Sequence, residues 1–403
     1  MRRVVSVNEL INWVLVIMFC IMLFMQITKV ETNSVLVVGI CLISVLLDFK
    51  HMKKRDTYAL AQIGLFFVYG IVTVLKSNGG IGGIYSILAG LIVFLCFKNS
   101  KLNRGQLVCM MLVMLYICIY WIIKSPTWYD IFFQNQWLGD GTVANSNGIG
   151  KVICYTGILL FIILGELDLK IVKFIRIILV IACVWGIYNV KARMSLAVFV
   201  LFFLLCFIYN RIKKNKSRFL KITFSGAILT EIIFPIIYLW MYRKSIGINL
   251  KSFGLAEKGL YSGRQIIWMN ALKGMDTWLD WMIGVGSKKD YWEGNVLNMH
   301  NNAMNLLVVV GILGLIWFLI FLYREIFGEY DINRVSLWQT YMLIFFICVL
   351  VEGVSDITIF YNEFLLYIYM PLGIACNRNY STNIFDKCSS IKNGTIWREE
   401  SKK

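Results

Sequence analysis

The sequence is short of charged residues for its length. Of 403 residues, 16% are charged and 59% are hydrophobic. Soluble globular domains average about 25% charged and about 45–50% apolar residues. A soluble core of this size has no room for the apolar excess. A soluble globular fold is therefore excluded, and we expect an all-α membrane protein whose apolar side chains face lipid and neighbouring helices.

The sequence also lacks the cysteine pattern of a disulfide framework or a metal site. Its 11 Cys all lie in apolar runs or in segments predicted to be cytoplasmic, and none forms a CxxC pair. We expect them to pack as small apolar side chains. No metal ion and no cofactor is predicted.

A basic surface of the kind that binds nucleic acid is missing too, although the net charge is +17. Lys and Arg fall in short clusters between apolar runs, as they do in the cytoplasmic loops of membrane proteins. A nucleic-acid surface needs a basic stripe interleaved with polar structure. Nucleic acid is therefore excluded as a partner, and the lipid bilayer is expected instead.

Apolar runs long enough to suggest membrane helices recur along the chain. A spanning helix needs about 20 mostly apolar residues. Reading for such runs predicts twelve spans, near 10–29, 34–49, 57–75, 81–97, 106–124, 149–165, 171–190, 194–209, 222–242, 303–322, 335–351 and 358–376. Residues 1–376 are thus expected to form one multi-pass transmembrane domain.

The basic residues also predict an orientation. Most of the 40 Lys and Arg fall in the segments that are cytoplasmic if the N-terminus is inside. Both termini, including the short tail 377–403, are then cytoplasmic. The long loop 243–300 is extracytoplasmic, and it carries a predicted amphipathic helix that starts near Gln265 and stops at Gly284. The protein is expected in the cytoplasmic (inner) membrane.

Three predicted spans begin on the outer side with a polar residue, and these are Asn147, Arg193 and His300. Each could have a purely structural role, since Asn caps helices, Arg near a span end reaches lipid headgroups and His forms interfacial hydrogen bonds. However, helix N-termini carry partial positive charge. Three of them on one side favour a phosphate-bearing ligand. A neutral imidazole at His300 would also suit a general base.

The long loop contributes a fourth candidate, Arg264. Ser262 and Gln265 have the spacing of a capping box, so Arg264 falls in the first turn of the predicted amphipathic helix. A cation there opposes the helix dipole. Helix stability does not explain this placement, but an anionic ligand bound at the helix start does.

Glu231 is the one acid predicted in the middle of a span, four residues before Pro235. Intramembrane acids are rare and often functional. The side chain is either protonated or paired with a neighbouring helix, and the sequence leaves this choice open.

Taken together, these residues resemble the O-antigen ligase/polymerase superfamily of bacterial polysaccharide assembly. The match covers roughly 140–320, and earlier spans match only as apolar helices. It consists of Asn-x-Asn-x-x-Gly, an Arg opening a later span, Gly-Arg-x-x-x-Trp followed by Gly-x-Gly, and His-Asn before a span with Gly-x-x-Gly. The residues concerned are Asn145, Asn147, Gly150, Arg193, Gly263, Arg264, Trp268, Gly284, Gly286, His300, Asn301, Gly311 and Gly314.

The resemblance implies a metal-independent glycosyltransferase whose donor is an undecaprenyl-diphosphate-linked oligosaccharide. It implies that Arg193 and Arg264 bind the diphosphate and that His300 accepts a proton from the attacking sugar hydroxyl. The remaining motif residues would bind substrate, and these are Asn145, Asn147, Asn301 and Trp268. The lipid tail would lie in a groove between spans.

Three functions fit this reading. A repeat-unit polymerase would use a second lipid-linked unit as acceptor, and it is favoured because divergent members of the superfamily more often resemble polymerases. A chain-length regulator and a flippase of the same pathway would then be its partners. An O-antigen ligase would transfer the glycan to a lipid core sugar. A non-enzymatic transporter or flippase would need charges deep in several spans and repeated halves, and the sequence shows neither.

Overall fold

The computed structural model describes most of the chain apart from the termini and several connections. The described residues are 7–28, 34–47, 52–77, 80–100, 102–124, 137–138, 142–143, 146–167, 169–245, 264–287, 299–328, 335–360 and 364–377. Ser262, Gly263, Asn145 and most of the predicted tail 377–403 lie outside these ranges.

The described residues are overwhelmingly helical. Their fourteen helices are α1 Val7–Thr28, α2 Ser34–Leu47, α3 Lys54–Ser77, α4 Gly82–Asn99, α5 Arg104–Lys124, α6 Ser146–Leu164, α7 Lys170–Asn189, α8 Arg193–Arg211, α9 Lys216–Ser245, α10 Arg264–Lys273, α11 Trp278–Ile283, α12 Asn302–Phe327, α13 Leu337–Glu352 and α14 Leu365–Cys376. Two strands of two residues each, β1 Trp137–Leu138 and β2 Thr142–Val143, pair antiparallel between α5 and α6.

Eight of these helices are long and apolar enough to cross a membrane, namely α3 to α9 and α12. The predicted class, an α-helical multi-pass membrane protein, is confirmed at this level. The remaining four predicted spans correspond to the shorter apolar helices α1, α2, α13 and α14. Crossing by these four, and hence the total of twelve, stays a prediction.

Burial divides the bundle into central and peripheral helices. The apolar windows of α4 and α6 are 67% and 78% buried, whereas those of α7 and α9 are 28% and 22% buried. Glycine allows close packing of two helices at the centre, because a Cβ on Gly90 of α4 would collide with the ring of Tyr369 on α14. The peripheral helices expose Ile, Leu and Phe side chains, as expected of surfaces that face lipid.

Helix α12 is broken at Gly311, where φ is 66°. The break releases carbonyl groups from the helical ladder, and an apolar medium requires each to find another donor. The backbone N–H groups of Val285 and Gly286 donate to the carbonyl oxygens of Val308 and Val309 at 2.8 and 3.1 Å. The Tyr69 hydroxyl donates to the Val310 carbonyl oxygen at 2.7 Å. The break is thereby filled by the segment after α11.

The predicted continuous amphipathic helix of the long loop is instead two helices, α10 and α11. The first ends at Lys273, and Thr277 starts the second with a capping box to Asp280. The Thr277 hydroxyl accepts a hydrogen bond from the Asp280 N–H, as an N-cap residue does. A new helix therefore starts here, and α10 does not continue into α11. Asp280 also forms an ion pair with Lys76 of α3 at 2.6 Å, which attaches α11 to the bundle.

A buried ion-pair network lies at the opposite end of the bundle from the starts of α6, α8 and α12. The Lys98 ammonium lies 2.6 Å from carboxylate oxygens of both Asp56 and Glu325. The Arg55 guanidinium lies 3.6 Å from Glu325. These contacts join α3, α4 and α12 far from the candidate site described next.

Candidate functional site

A linked set of charged side chains lies at the end of the bundle where α6, α8 and α12 begin. His300 lies just before α12 and contacts Asp356, which lies in the turn after α13. The His300 Nδ1 is 3.0 Å from Asp356 Oδ1. Lys151, in the second turn of α6, lies 2.7 Å from the other oxygen, Oδ2. The Lys151 ammonium also donates to the Ile357 carbonyl oxygen at 3.1 Å.

The electrostatics of this set fix Asp356 as a carboxylate. Burial on its own would raise the pKa of Asp356. The hydrogen bond from His300 and the nearby Lys151 ammonium outweigh burial, so the pKa lies well below its usual range. A carboxylate can only accept hydrogen bonds. His300 therefore carries its proton on Nδ1, and in the neutral ring Nε2 holds the lone pair that can accept a second proton.

Exposure distinguishes the members of the set. The side chain of His300 is 31% exposed, whereas that of Asp356 is 11% exposed and that of Lys151 is 4% exposed. The imidazole is thus the member that a ligand can reach, while the two charged groups support it from within. This is the arrangement of a general base held in one tautomer by a buried carboxylate.

A polar turn holds His300 in place, and it is bonded to α9 at Glu231. Pro235 has no N–H, so the Glu231 carbonyl four residues earlier loses its helical partner. The Asn301 side-chain amide donates to that carbonyl oxygen and to the Val354 carbonyl oxygen, each at 3.1 Å. The Asn301 oxygen also accepts from Met304 N–H at 2.8 Å and so caps α12. The gap that Pro235 leaves in the hydrogen-bond ladder of α9 is therefore closed by the residue that follows His300.

Asn302 joins the segments on either side of the site. Its amide nitrogen donates to Glu231 Oε1 at 2.7 Å and to the Thr358 hydroxyl at 2.9 Å. Its amide oxygen accepts from Thr358 N–H at 2.9 Å. His300 lies two residues before Asn302, and Asp356 lies two residues before Thr358. The hydrogen bonds between Asn302 and Thr358 therefore hold His300 and Asp356 close together. Glu231 thus accepts a hydrogen bond from a neighbouring helix, which is compatible with both alternatives that the sequence leaves open.

Arg264 and Arg193 flank this set. Arg264 begins α10. Burial lowers the pKa of its guanidinium, and the nearby Arg193 lowers it further, whereas the Asp356 carboxylate raises it. These interactions place the Arg264 guanidinium near both Asp356 and Arg193. Arg193 begins α8 and is exposed. The two cations converge at helix N-termini, which adds positive potential and suits an anionic ligand.

Close packing at glycine brings α8 and α6 together beneath Arg193. A Cβ on Gly150 of α6 would collide with the Ala192 side chain. Beside this contact, Glu352 at the end of α13 accepts hydrogen bonds from the Tyr155 hydroxyl at 2.6 Å and the Ser195 hydroxyl at 2.7 Å. This buried acid therefore connects α6, α8 and α13.

The predicted site residues divide into two groups. His300, Arg264 and Arg193 come together, and Asn147 is half-buried in the first turn of α6. Trp268 and Asn301 are both completely buried. The Trp268 indole donates to the Met299 carbonyl oxygen at 2.6 Å and so holds α10 against the His300 turn. Both are structural in this arrangement, and their substrate contact stays a prediction, while Asn145 lies outside the described residues.

The sequence reasoning missed Lys151, Asp356 and Glu352. Each is a charged residue within or directly beside an apolar run, which is the signal that could have found them. No group of three or more metal-binding side chains occurs in the described part of the chain. Comparison with family models, with curated proteins and with solved structures finds no match to this chain.

Proposed function

We propose that the chain is a glycosyltransferase that joins undecaprenyl-diphosphate-linked oligosaccharide repeat units into a surface polysaccharide, namely a capsule, an exopolysaccharide or an O-antigen. The observation that supports this most is the convergence of Arg193 and Arg264 on the carboxylate-bound imidazole of His300. It combines anion binding with proton acceptance in one place. These are the two tasks in transferring a glycan from a lipid diphosphate.

The reaction follows from the roles of these groups. A hydroxyl oxygen of the acceptor sugar attacks the anomeric carbon of the donor and forms the new glycosidic bond. His300 Nε2 takes the hydroxyl proton, and Asp356 stabilises the resulting imidazolium. The bond between the anomeric carbon and the diphosphate oxygen breaks, and its electron pair leaves with undecaprenyl diphosphate. The guanidinium groups of Arg193 and Arg264 offset the charge that develops there.

A small pocket lies between α9 and α12. Apart from Glu231 its lining is apolar, and it includes Ile228, Ile232, Ala303, Leu306, Phe318 and Leu319. Its volume of about 10 Å³ is the space of a single water molecule, far less than a polyprenyl chain fills. The groove for the lipid tail that the resemblance implies therefore stays a prediction.

The proposal includes a side of the membrane and an acceptor. The distribution of basic residues supports a site that faces the extracytoplasmic side of the cytoplasmic membrane, where a flippase would deliver lipid-linked units and a chain-length regulator would act. A ligase would use the same donor chemistry with a lipid core sugar as acceptor. The two differ in what accumulates when the site is disabled.

The test is to replace His300, Arg264 or Arg193 by Ala in the source bacterium and to run its surface polysaccharide on a gel. We expect a loss of chain extension of about 10²–10⁴-fold for His300→Ala, the usual contribution of a general base. A polymerase then leaves single repeat units in place of a ladder. A ligase leaves long chains that remain on the lipid carrier.

The chain provides matched controls for both residue types. Arg211 lies at the other end of α8 from Arg193, and His51 is the second of the two His residues. We expect Arg211→Ala and His51→Ala to give normal ladders. Normal ladders from well-expressed His300→Ala and Arg264→Ala proteins would refute the proposed function. A tag that places the 243–300 loop in the cytoplasm would refute the proposed side.

A further inference from the structure

Gln265 is a buried amide whose oxygen has no partner. Its side chain is 6% exposed, and its Oε1 finds no hydrogen-bond donor in the structure as described. The buried amides of Gln106 and Gln339 behave differently, since both oxygens accept hydrogen bonds. An unsatisfied buried acceptor costs stability, and such groups in native proteins call for an explanation.

The position of Gln265 places it at the site. It directly follows Arg264 in the first turn of α10, and the buried face of this helix consists of Gln265, Trp268 and Ala271. Residues three apart lie on one helix face. Trp268 of this face is bonded to Met299, the residue before His300. The Gln265 amide therefore faces the same side as Trp268, in the turn that begins with Arg264.

The chemistry of the missing partner is specific. An amide oxygen needs a hydrogen-bond donor. The oxygens of a diphosphate diester are acceptors and offer nothing to it. A sugar hydroxyl, or the N–H of an acetamido sugar, supplies a donor. Because Arg264 is the adjacent residue and is assigned to the diphosphate, the next chemical group along the donor is the sugar attached to that diphosphate.

We propose that Gln265 binds a hydroxyl or acetamido N–H of a substrate sugar and that it contributes to sugar specificity. This inference rests on the proposed function. A site built to hydrogen-bond a sugar group leaves a polar atom unpaired when that group is absent, and it thereby discriminates against sugars that lack the group.

The test uses Gln265→Met, which keeps the side-chain length and removes the amide. Full-length protein in nanodiscs is titrated with undecaprenyl diphosphate alone and with lipid-linked repeat units extracted from a strain that lacks this protein. We expect unchanged affinity for undecaprenyl diphosphate and about tenfold weaker affinity for the repeat unit, the effect of one lost hydrogen bond. Unchanged affinity for both lipids with a reduced polymer yield would assign the contact to the acceptor sugar.

Gln339→Met is the matched control. Its amide donates to the carbonyl oxygens of Ile374 and Asn377 at 2.9 and 2.7 Å, so its loss should lower the thermal midpoint of unfolding. Gln265→Met removes an unsatisfied acceptor and should leave the midpoint unchanged or raise it. A Gln265→Met midpoint that falls as far as that of Gln339→Met would overturn the inference, and so would wild-type affinities with a normal ladder.

A separate variant tests the premise. Arg264→Ala should weaken the binding of both lipids, because it removes a cation assigned to the diphosphate. If Arg264→Ala binds undecaprenyl diphosphate as the wild type does, the proposed function fails, whatever Gln265→Met shows. If Arg264→Ala behaves as expected and Gln265→Met does not, only the inference about Gln265 fails.

Discussion

The Lys151–Asp356 pair gives a prediction that separates folding from catalysis. Replacing Asp356 by Leu leaves the Lys151 ammonium, 4% exposed, with the Ile357 carbonyl oxygen as a remaining partner. Removing one member of a buried ion pair costs about 3–5 kcal/mol. Because the contact between Lys151 and the Ile357 carbonyl oxygen persists, we expect Asp356→Leu to lower the free energy of unfolding by about 3 kcal/mol, the lower end of this range.

The double variant Asp356→Leu, Lys151→Met removes both charges together. Replacing a buried ion pair by apolar side chains of similar volume is often neutral or stabilising by about 1–4 kcal/mol. The double variant should therefore recover the thermal midpoint of the wild type. It should still fail to extend polysaccharide, because His300 has lost the carboxylate that fixes its tautomer. We expect the ladder to be reduced at least about 100-fold.

The assay is thermal unfolding of the purified protein in nanodiscs, followed by tryptophan fluorescence at about pH 7, beside a polysaccharide gel. The pKa of Asp356 in the folded protein lies below its usual range. Its carboxylate therefore stabilises the fold fully above its unfolded pKa of about 3.9, and this stabilisation is lost as pH falls through the lower folded value. Neutral pH thus reports the whole effect. A double variant with a normal ladder, or one less stable than Asp356→Leu, would refute the reasoning.

Three further predictions concern a close glycine contact, a buried carboxyl group and the second ion-pair network. A Cβ at Gly353 would collide with Asn302 and Glu231, so Gly353→Ala should cost about 1–3 kcal/mol in thermal unfolding; an unchanged midpoint would show that space exists. Glu231→Gln keeps an acceptor for Asn302 and should retain both midpoint and ladder, and a lost ladder would instead indicate a chemical role for the carboxyl group. Lys98→Met leaves two buried carboxylates without their shared cation and should cost about 3–5 kcal/mol. Because Lys98 lies at the opposite end, polymer made per folded molecule should stay unchanged, and its loss would contradict the separation of the two networks.

Apolar runs predicted the helices well because a helix that spans a membrane needs about 20 mostly apolar residues, a pattern that is easily seen in the sequence. The predicted span 149–165 corresponds to α6, Ser146–Leu164. The predicted span 222–242 is shorter than α9, Lys216–Ser245, because a helix continues into polar residues that hydropathy does not count. The break between α10 and α11 was missed, although Thr277 and Asp280 carry the capping spacing, since the apolar residues on either side continued the helical pattern.

The site was predictable only in part. His300, Arg193 and Arg264 stand out because each is a polar residue at a helix start, which is a local property of the sequence. The partner of His300 is Asp356, and Lys151 is 205 positions from that carboxylate. Contacts over such separations depend on how the helices pack. No spacing in the chain encodes them.

The gap that Pro235 leaves in the hydrogen-bond ladder of α9 has a consequence for how the protein is made. The carbonyl group of Glu231 freed by Pro235 receives its hydrogen bond from Asn301, 70 positions later in the chain. At about 5–20 residues per second of synthesis, that partner follows roughly 4–14 s after the carbonyl. Throughout this interval the middle of α9 lacks a hydrogen bond that an apolar medium strongly requires. The insertion of α12 therefore completes α9, and the newly made first part of the chain stays vulnerable to quality-control proteases until the His300 turn arrives.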